Sequence, residues 1–472
     1  MGGWRGGGEN RKLSTPPPSH PITLRYNMLP KIRLQILTLI TALLLLPLSC
    51  SFFPLDETPI VFVHGNGDTA AVWHTTMWRF ESNAYPRDYL FAIDFTYPSS
   101  LTNDAVPEEG RSSTTDQMNQ LSEFVDTVLD ETGKDKVILI GSSRGGNAIR
   151  NYIKNGGGTV KVSHAILCGT PNHGIVALDS IMPGSEFNGT QPFLKGLNEG
   201  SEVVDGVKFM TIRSNRLDKY AQPDGTVLGF PGAPTGVGYD SPALEGAENK
   251  VTPMLDHREV AFHGLAFLHM YEFITGVKPN QFGAILEEEP ELNGKVNGMM
   301  GTTPTNIGVA GASVEIYEVS EETGEREGEV KHTQTTGKDG LWGPFTADPV
   351  VYYEFVITTE GHPITHIYRS PFPRSSDVIH LRPGVFAEGD AEAGSVVIMS
   401  RPRGYFGHGR DTFTLDGQIP EDVREGLPVD STSKLKLEPA LRRSVVAVFG
   451  FETITVQSWS AQDNHLVIAE FH

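Results

Sequence analysis

Short apolar runs alternate with amphipathic stretches over the first half of this sequence, from Thr58 to about Lys278. Most of the runs are continuously apolar, which is typical of strands that helices bury on both faces. We predict six strands, Pro59–Val63, Tyr89–Phe95, Lys136–Ile140, Ser163–Cys168, Val207–Arg213 and Lys250–Met254. This alternation predicts an α/β fold with a doubly wound, mostly parallel sheet.

An amphipathic stretch lies between the second and third predicted strands. In TDQMNQLSEFVDTVLDETG, residues 115–133, apolar side chains recur at helical spacing and Gly133 ends the pattern. These side chains are Met118, Leu121, Val125, Val128 and Leu129. The pattern predicts a crossover helix whose apolar stripe belongs to the core.

The character of the chain changes after residue 278. The acidic stretch Glu287–Glu291 reads as a linker, and we expect its charges to be solvated. Beyond it come β-type runs separated by turn residues, GASVEIYEV, YYEFVITTE, SSDVIHLRP, SVVIMSRP, SVVAVFGFETITVQSW and HLVIAEF. They predict an all-β C-terminal region of one or two sandwich or barrel modules. The expected divisions are 57–278, 292–384 and 385–472.

A candidate nucleophile follows the third predicted strand. In VILIGSSRGG, residues 137–146, the letters from Gly141 to Gly145 fit G-x-S-x-G around Ser143. Glycine makes up 51 of 472 residues, so a plain Gly/Ser loop is the alternative reading. The position between a buried strand and the predicted helix RGGNAIRNYIK favours the nucleophile. The spacing fits Ser143 and not Ser142, because Ile140 stands where Ser142 would need a glycine.

The turn after the first strand is a candidate oxyanion site. The chain reads His64-Gly65-Asn66-Gly67 there. Hydrolases that carry their serine nucleophile in a G-x-S-x-G turn expose a backbone N–H toward the reacting carbonyl at this position. We expect the N–H of Asn66 to act with that of Arg144, the residue after the nucleophile. We expect His64 to support the loop, not to act as a base.

A serine nucleophile also needs a base. His257, His263 and His269 follow the last predicted strand, and the latter two fall in a helical stretch. His257 lies in the strand-to-helix loop, from which an imidazole can reach across the carboxyl ends of the strands. We therefore predict His257 as the base.

The acid that orients this base belongs between residues 143 and 257 at a strand end. Asp218 lies just after the strand Val207–Arg213, whereas Asp224 in PDG reads as a turn former. Asp256 is poorly placed, because neighbouring side chains diverge. We predict Asp218.

Composition narrows the classes of function. Hydrophobic residues at 38% and charged residues at 20% describe a globular chain. A formal net charge of −20 argues against a nucleic-acid partner, which would require clustered Lys and Arg. Two cysteines, Cys50 and Cys168, cannot build a disulfide framework.

The N-terminal residues carry a targeting pattern. Lys31 and Arg33 precede an apolar run over residues 34–48 and then small residues, as in a secretory signal peptide. Residues 1–50 are therefore expected to be an extension and signal peptide, with translation starting at Met1 or Met28. The site is either a simple cleavage near Ser49–Ser51 or a lipoprotein site with acylation of Cys50. We expect a secreted or cell-surface protein.

Five segments in this order, PIVFVHGNG, VILIGSSRGG, AILCGTPNHG, MTIRSNRLDKYAQPDG and LDHREVAFH, resemble the small bacterial triacylglycerol lipases of the α/β-hydrolase superfamily. The added β region resembles that of an archaeal lipase whose C-terminal β-domain supports lipid binding, and residues 293–384 resemble transthyretin-like modules. The resemblance implies ester hydrolysis without a metal or cofactor. Carried over by position, it assigns Ser143, Asp218 and His257 as a triad and Asn66 and Arg144 as oxyanion donors.

The sequence departs from the minimal lipases in one segment. Residues 174–206 intervene before the strand that precedes the acid, and they could form a lid or a wall of the acyl pocket.

The pattern as a whole predicts an exported lipase or esterase acting on lipid or other esters. The alternatives are a polyester depolymerase whose β region docks on an insoluble polymer, and a non-catalytic surface protein. Because every predicted site residue precedes residue 278, truncation after about residue 284 is expected to spare hydrolysis of short soluble esters.

Overall fold

The computed structural model describes residues 57–472. The predicted N-terminal extension, signal peptide and Cys50 lie outside these residues.

A six-stranded parallel sheet with helices forms the first half of the described chain, as predicted. The strand order is β10-β7-β6-β5-β1-β2, and every neighbouring pair is parallel. The strands of residues 57–278 are β1 (Ile60–Val63), β2 (Leu90–Ile93), β3 (Ser99–Ser100), β4 (Arg111–Ser112), β5 (Val137–Ser142), β6 (Val162–Cys168), β7 (Lys208–Ser214), β8 (Asp224–Gly225), β9 (Phe230–Pro234) and β10 (Glu248–Thr252).

Helices cover both faces of this sheet. They are α1 (His74–Ser82), α2 (Thr114–Thr132), α3 (Arg144–Asn155), α4 (Pro192–Asn198), α5 (Glu259–Phe262) and α6 (Gly264–Thr275), with 3-10 turns at Ala70–Trp73, Arg87–Tyr89, Gly158–Val160 and Thr226–Leu228. Along β1, Ile60 and Phe62 belong to one core cluster while Val61 and Val63 belong to the other. Burial on both faces is the reason that inner strands such as β1 and β5 read as continuous apolar runs, whereas the edge strand β10 is mostly exposed.

The predicted crossover helix is α2. Ser113 accepts a hydrogen bond from the N–H of Asp116, whose carboxylate accepts one from the N–H of Ser113 in return. Gly133 ends the helix at φ 64°, a left-handed conformation that favours glycine. Both ends of α2 therefore lie within one residue of the predicted ones.

Residues 277–472 contain no helix and are mostly β-structure, as predicted. The strands are β11 (Glu291–Lys295), β12 (Asn297–Met300), β13 (Thr303–Gly308), β14 (Ser313–Val319), β15 (His332–Thr335), β16 (Leu341–Thr346), β17 (Tyr352–Thr358), β18 (Ile364–Arg369), β19 (Ser395–Ser400), β20 (Phe413–Leu415), β21 (Thr432–Leu437), β22 (Ser444–Phe449), β23 (Glu452–Gln457) and β24 (His465–Glu470).

One sheet runs through most of this β region. Seven strands pair in the order β15-β14-β17-β18-β24-β19-β21, and a smaller sheet has the order β20-β22-β23. The parallel pairing of β24 with both β18 and β19 carries the large sheet across residue 385, where we placed a division.

Two local expectations for the β region were wrong. SSDVIHLRP, residues 375–383, makes only isolated bridges, from Ser376 to Leu292 and from Leu381 to Val296, and forms no strand. The acidic linker is not wholly solvated either. Glu287 pairs with Arg87 at 2.7 Å and with Arg374 at 2.8 Å, because the β region packs directly against residues 57–278.

None of the helices within residues 57–472 is both long and apolar enough to cross a bilayer.

Candidate active site

Ser143 lies on a sharp turn between β5 and α3. Its backbone has φ 53° and ψ −122°, a conformation that non-glycine residues rarely adopt. Such a conformation costs about 1–3 kcal/mol and is held only where the surrounding structure enforces it. The turn places Ser143 at the N-cap of α3.

Two glycines of the motif are required by close backbone contacts. A Cβ on Gly145 would lie 2.5 Å from the carbonyl oxygens of Val63 and His64, and a Cβ on Gly141 would lie 2.7 Å from the nitrogen of Gly146. Both distances are well inside van der Waals contact. The strand-to-helix turn therefore closes only with glycine at these positions.

The structure brings Ser143, His257 and Asp218 together in one hydrogen-bonded chain. His257 Nε2 lies 2.9 Å from Ser143 Oγ, and His257 Nδ1 lies 2.8 Å from Asp218 Oδ1. His257 and Asp218 are each 3% exposed. This arrangement lets an imidazole remove the hydroxyl proton while a carboxylate holds the ring.

Tyr220 fixes the carboxylate and the ring from the other side. Its N–H donates to Asp218 Oδ1 at 2.9 Å, and its ring packs edge-on against the His257 ring with centroids 4.7 Å apart. Asp218 Oδ2 is buried without a hydrogen-bond partner among residues 57–472. The carboxylate thus directs one oxygen to both donors.

The two alternative acids, Asp224 and Asp256, make their hydrogen bonds away from the His257 ring. Asp224 is an exposed turn residue that accepts hydrogen bonds from Thr226 and from the N–H of Gly232. Asp256 is buried, but its Oδ1 accepts the N–H groups of Arg258 and Glu259, so it caps its own loop and does not face the His257 ring.

The other two candidate bases, His263 and His269, lie at the N-cap of helix α6 and within it, not in the loop at Ser143. His269 lies within α6, as expected. His263 is not inside a helix: it is the N-cap between α5 and α6, where its Nδ1 accepts the N–H of Leu265 at 3.2 Å. The helical stretch is therefore interrupted at His263, a break that the apolar period does not signal.

The turn after β1 lies against the nucleophile. A Cβ on Gly65 would lie 3.2 Å from Ser143 Cβ, so only a residue without a side chain fits easily there. Asn66 is anchored by its side chain, whose Oδ1 accepts the N–H of Ser100 at 2.8 Å. The N–H of Asn66 has no hydrogen-bond acceptor within residues 57–472. It is thus available to a ligand oxygen.

His64 supports this turn from within. Its Nδ1 donates to the Gly65 carbonyl at 2.9 Å and its Nε2 accepts the N–H of Phe95 at 3.1 Å. Burial lowers the pKa of His64, which favours the neutral ring that these two bonds require.

The side chain of Arg144 anchors the segment 174–206. It is fully buried, and its Nε donates to both carboxylate oxygens of Glu186 at 2.8 and 2.9 Å. Its Nη1 also donates to the carbonyl of Pro98 at 3.0 Å. Burial raises the pKa of Glu186, while the charge of Arg144 opposes that rise. The residue after Ser143 therefore fixes this segment beside the site.

A cavity of about 170 Å³ opens above Ser143. Ile175 and Phe187, from the segment 174–206, form part of its wall. Asp68 and Arg258 also line it and form an ion pair at 2.7 Å.

Tyr405 of the β region completes the lining of this cavity. The predicted catalytic and oxyanion residues all precede residue 278, but the wall of the cavity also includes this residue of the β region. The apolar period could not reveal this contact, because the segment around Tyr405 is a loop and lies 262 positions after Ser143 in the chain. Arg258 and Asp68 were also missed, although each lies beside a residue or turn that we had singled out.

No group of three or more His, Cys, Asp or Glu side chains in the described part of the chain is arranged to hold a metal ion.

Comparison with known families gives two matches. Residues 57–182 match the model of the class 2 lipases, and residues 291–385 match that of the lipase C-terminal domain.

Solved structures also resemble the chain over about half its length. The mature lipase BlEst2 of Bacillus licheniformis is 21% identical, with 47% of this chain and 93% of that chain covered and a TM-score of 0.35. Lipase B of Aspergillus fumigatus is 15% identical, with 50% and 57% covered and a TM-score of 0.35. The carboxylesterase CesB of Bacillus subtilis is 13% identical, with 48% and 86% covered and a TM-score of 0.27.

Proposed function

We propose that this chain is a carboxylic ester hydrolase of the lipase family and that it cleaves its substrate through Ser143, His257 and Asp218. The observation that carries the proposal is the pair of short contacts from the two His257 nitrogens to Ser143 Oγ and Asp218 Oδ1, at 2.9 and 2.8 Å. The strained backbone of Ser143 supports it, because such strain collects at reactive residues.

The proposed reaction proceeds through an acyl-enzyme. Ser143 Oγ attacks the ester carbonyl while His257 Nε2 takes its proton, and Asp218 stabilises the imidazolium that forms. The N–H groups of Asn66 and Arg144 hold the oxyanion. His257 then returns the proton to the leaving alcohol. A water molecule next attacks the acyl carbonyl while His257 takes its proton, and His257 passes that proton to Ser143 Oγ as the acid leaves.

We propose that the acyl group is short. A cavity of about 170 Å³ is close in size to an engineered cavity that binds benzene, about 150 Å³. The segment 174–206 acts as a fixed wall in this proposal, since Glu186 is bound to the buried Arg144. Rates on p-nitrophenyl esters of graded length should be greatest for the short acyl chains and fall as the chain lengthens.

The matched pair Ser143→Ala and Ser142→Ala tests the nucleophile. Ser143→Ala should abolish hydrolysis of p-nitrophenyl butyrate and covalent labelling by a fluorophosphonate, whereas Ser142→Ala should retain most activity. Labelling that persists in Ser143→Ala would show that another residue is the nucleophile.

The β region is proposed to contact aggregated substrate as well. Phe451, at the tip of the β22–β23 hairpin, is the most exposed large apolar side chain within residues 57–472. Moving the apolar surface of this ring from water into a lipid interface is favourable, and interfacial binding strengthens with the apolar area buried. Phe451→Ser should slow hydrolysis of emulsified triglyceride and leave the rate on a soluble ester unchanged; equal rates on the emulsion would remove this role.

Export, with or without a lipid anchor on Cys50, is proposed from the sequence pattern alone. Mass spectrometry of the mature N-terminus, from medium and from membranes, distinguishes simple cleavage, acylated Cys50 and an uncleaved chain.

A further inference from the structure

Two buried carboxylates flank His257. Asp256 is fully buried and Glu259 is 6% exposed. The two side chains stabilise the loop reciprocally: Asp256 Oδ1 accepts the N–H of Glu259 at 3.0 Å, and Glu259 Oε2 accepts the N–H of Asp256 at 2.9 Å. The loop that carries the proposed base thus contains two acidic groups, three positions apart and both out of water.

Such a pair is unstable without positive partners. Burial raises the pKa of Asp256, and the neighbouring charge of Glu259 raises it further, while Arg401 and Arg410 oppose both effects. A buried charge left without its partner has lost its hydration and is not compensated, so removing one partner of such a group is strongly destabilising. The structure must therefore supply cations at this loop.

Both cations come from the β region. Arg410 Nη1 lies 2.9 Å from Glu259 Oε2, and Arg410 Nη2 lies 3.2 Å from Asp256 Oδ2. Arg401 pairs with Glu259 Oε1 and lies 3.6 Å from Asp256 Oδ2. The side chains of Arg401 and Arg410 are only 10% and 11% exposed, so these contacts are shielded from solvent.

The backbone of the same segment joins the contact. The N–H of Tyr405 donates to Asp256 Oδ2 at 2.8 Å, and its carbonyl accepts from Arg410 Nη2 at 2.8 Å and from Arg401. The Tyr405 ring lies under Lys219, with Nζ 4.1 Å from the centroid, and lines the cavity above Ser143. We call residues 401–411 the clamp segment.

We propose that Arg401 and Arg410 of the clamp segment are positioning residues for the reaction: they hold the loop Asp256–Glu259 so that His257 Nε2 stays within hydrogen-bond distance of Ser143 Oγ. The inference rests on the proposed function and extends it, because it makes the C-terminal β region part of the catalytic arrangement. The two arginines do not touch the reacting atoms, and they act through Asp256 and Glu259.

The test measures the second-order rate constant for phosphonylation of Ser143 by a small fluorophosphonate, in the full chain. This reaction needs the imidazole at the serine but no product release. Arg410→Met should lower the constant about 10- to 100-fold, since a displacement near 1 Å has effects of that size. Arg410→Lys keeps the charge but loses the forked geometry, so its rate constant should lie between those of the unaltered protein and Arg410→Met.

Arg443→Met is the matched control. Arg443 also belongs to the β region and also pairs with an aspartate, Asp416 at 2.6 Å, but it is 43% exposed and lies outside the clamp segment. Its phosphonylation rate should equal that of the unaltered protein. On a soluble ester, Arg410→Met should lower kcat and change KM little, because the cavity wall is retained.

A double-variant cycle separates positioning from general stability. If Arg410 acts through Glu259, the double variant Arg410→Met/Glu259→Gln reacts no more slowly than the slower single variant. Circular dichroism and thermal unfolding define the temperature at which each variant is fully folded, and rates are compared there.

A folded Arg410→Met or Arg410→Lys that reacts at the unaltered rate, or losses that simply add, would overturn the inference. If Arg410→Met does not fold, Arg410→Lys and Glu259→Gln decide the question by the same rate. An unaltered protein that does not react with the fluorophosphonate contradicts the proposed function instead, so the two failures are distinguishable.

Discussion

At the scale of single residues, the site depends on how each strand ends. Ser143 follows β5, Asn66 follows β1, Asp218 follows β7 and His257 follows β10. The carboxyl ends of parallel strands share one edge of the sheet, so these four residues meet although they are far apart in the chain. Local turn chemistry then decides which side chain at each strand end faces Ser143.

The two aspartates after β7 provide a test at this scale. Asp218→Asn should lower kcat by several orders of magnitude, because the amide no longer stabilises the imidazolium and favours the wrong tautomer. Asp224→Asn should change kcat by less than about twofold, since the hydrogen bonds of that exposed carboxylate go to Thr226 and to Gly232 of β9, not to His257. Steady-state kinetics on a soluble ester measure both, and a reversed order of effects would assign the acid to Asp224.

At the scale of elements, a buried ion pair anchors the segment 174–206 at Glu186. Arg144 and Glu186 are 0% and 2% exposed at their side chains, with Nη2 and Oε1 2.6 Å apart. The same guanidinium also reaches the Ser112 carbonyl at 2.7 Å, at the end of β4. One side chain thus joins the start of α3, the short strand β4 and the wall of the cavity.

Breaking this pair should loosen all three elements. Glu186→Gln leaves the Arg144 charge buried without a carboxylate and should lower the free energy of unfolding by about 3–5 kcal/mol. Glu199→Gln, an exposed change at the end of α4, should alter it by less than about 0.5 kcal/mol. Urea unfolding measures the difference, and equal stabilities would mean that the pair contributes nothing net.

At the scale of the whole molecule, the β region binds the catalytic half on both sides of Ser143. On the side of His257 the contact is the clamp segment. On the side of Asn66, Lys295 Nζ lies 2.8 Å from Asp94 Oδ2, and Asn306 Nδ2 donates to the Asp68 carbonyl at 3.0 Å. His380 Nε2 also lies 2.9 Å from Asp94 Oδ2. The contact between the β region and residues 57–278, here called the seam, therefore contains ion pairs both near Asn66 and near His257.

Asp94 makes this seam sensitive to acid. Burial alone would raise the pKa of Asp94, but the charges of His380 and Lys295 outweigh it and hold the pKa well below its usual range. A carboxylate with a depressed pKa contributes its full stabilisation above its unfolded pKa, near 3.9. This stabilisation is lost progressively as pH falls from about 5, past the unfolded pKa and on towards the lower pKa of the folded state.

Asp94→Asn should therefore flatten the acid limb of the stability curve. The free energy of unfolding of the unaltered protein should fall between about pH 5 and pH 3, and that of Asp94→Asn should start lower and fall less. Urea unfolding across this pH range measures both. Parallel curves would show that Asp94 is not linked to folding.

The sequence by itself determined the features that depend on neighbours in the chain. Runs of apolar residues specified the inner parallel strands, since burial on both faces leaves no alternation, and Ser113 with Gly133 set the ends of α2. The edge strand β10 is mostly polar and exposed. The glycines around Ser143 specified the strand-to-helix turn, because only they tolerate its close backbone contacts.

Only the tertiary structure decided which distant side chains complete the site. SSDVIHLRP has a β-type composition but finds no partner for a ladder, and His263 breaks a helix that its neighbours favour. The buried charges of Asp256 and Glu259 are matched by Arg401 and Arg410, about 150 positions further along the chain. Ion pairs and cavity walls of this kind depend on how two regions pack, and packing leaves no periodic signal in either region's own sequence.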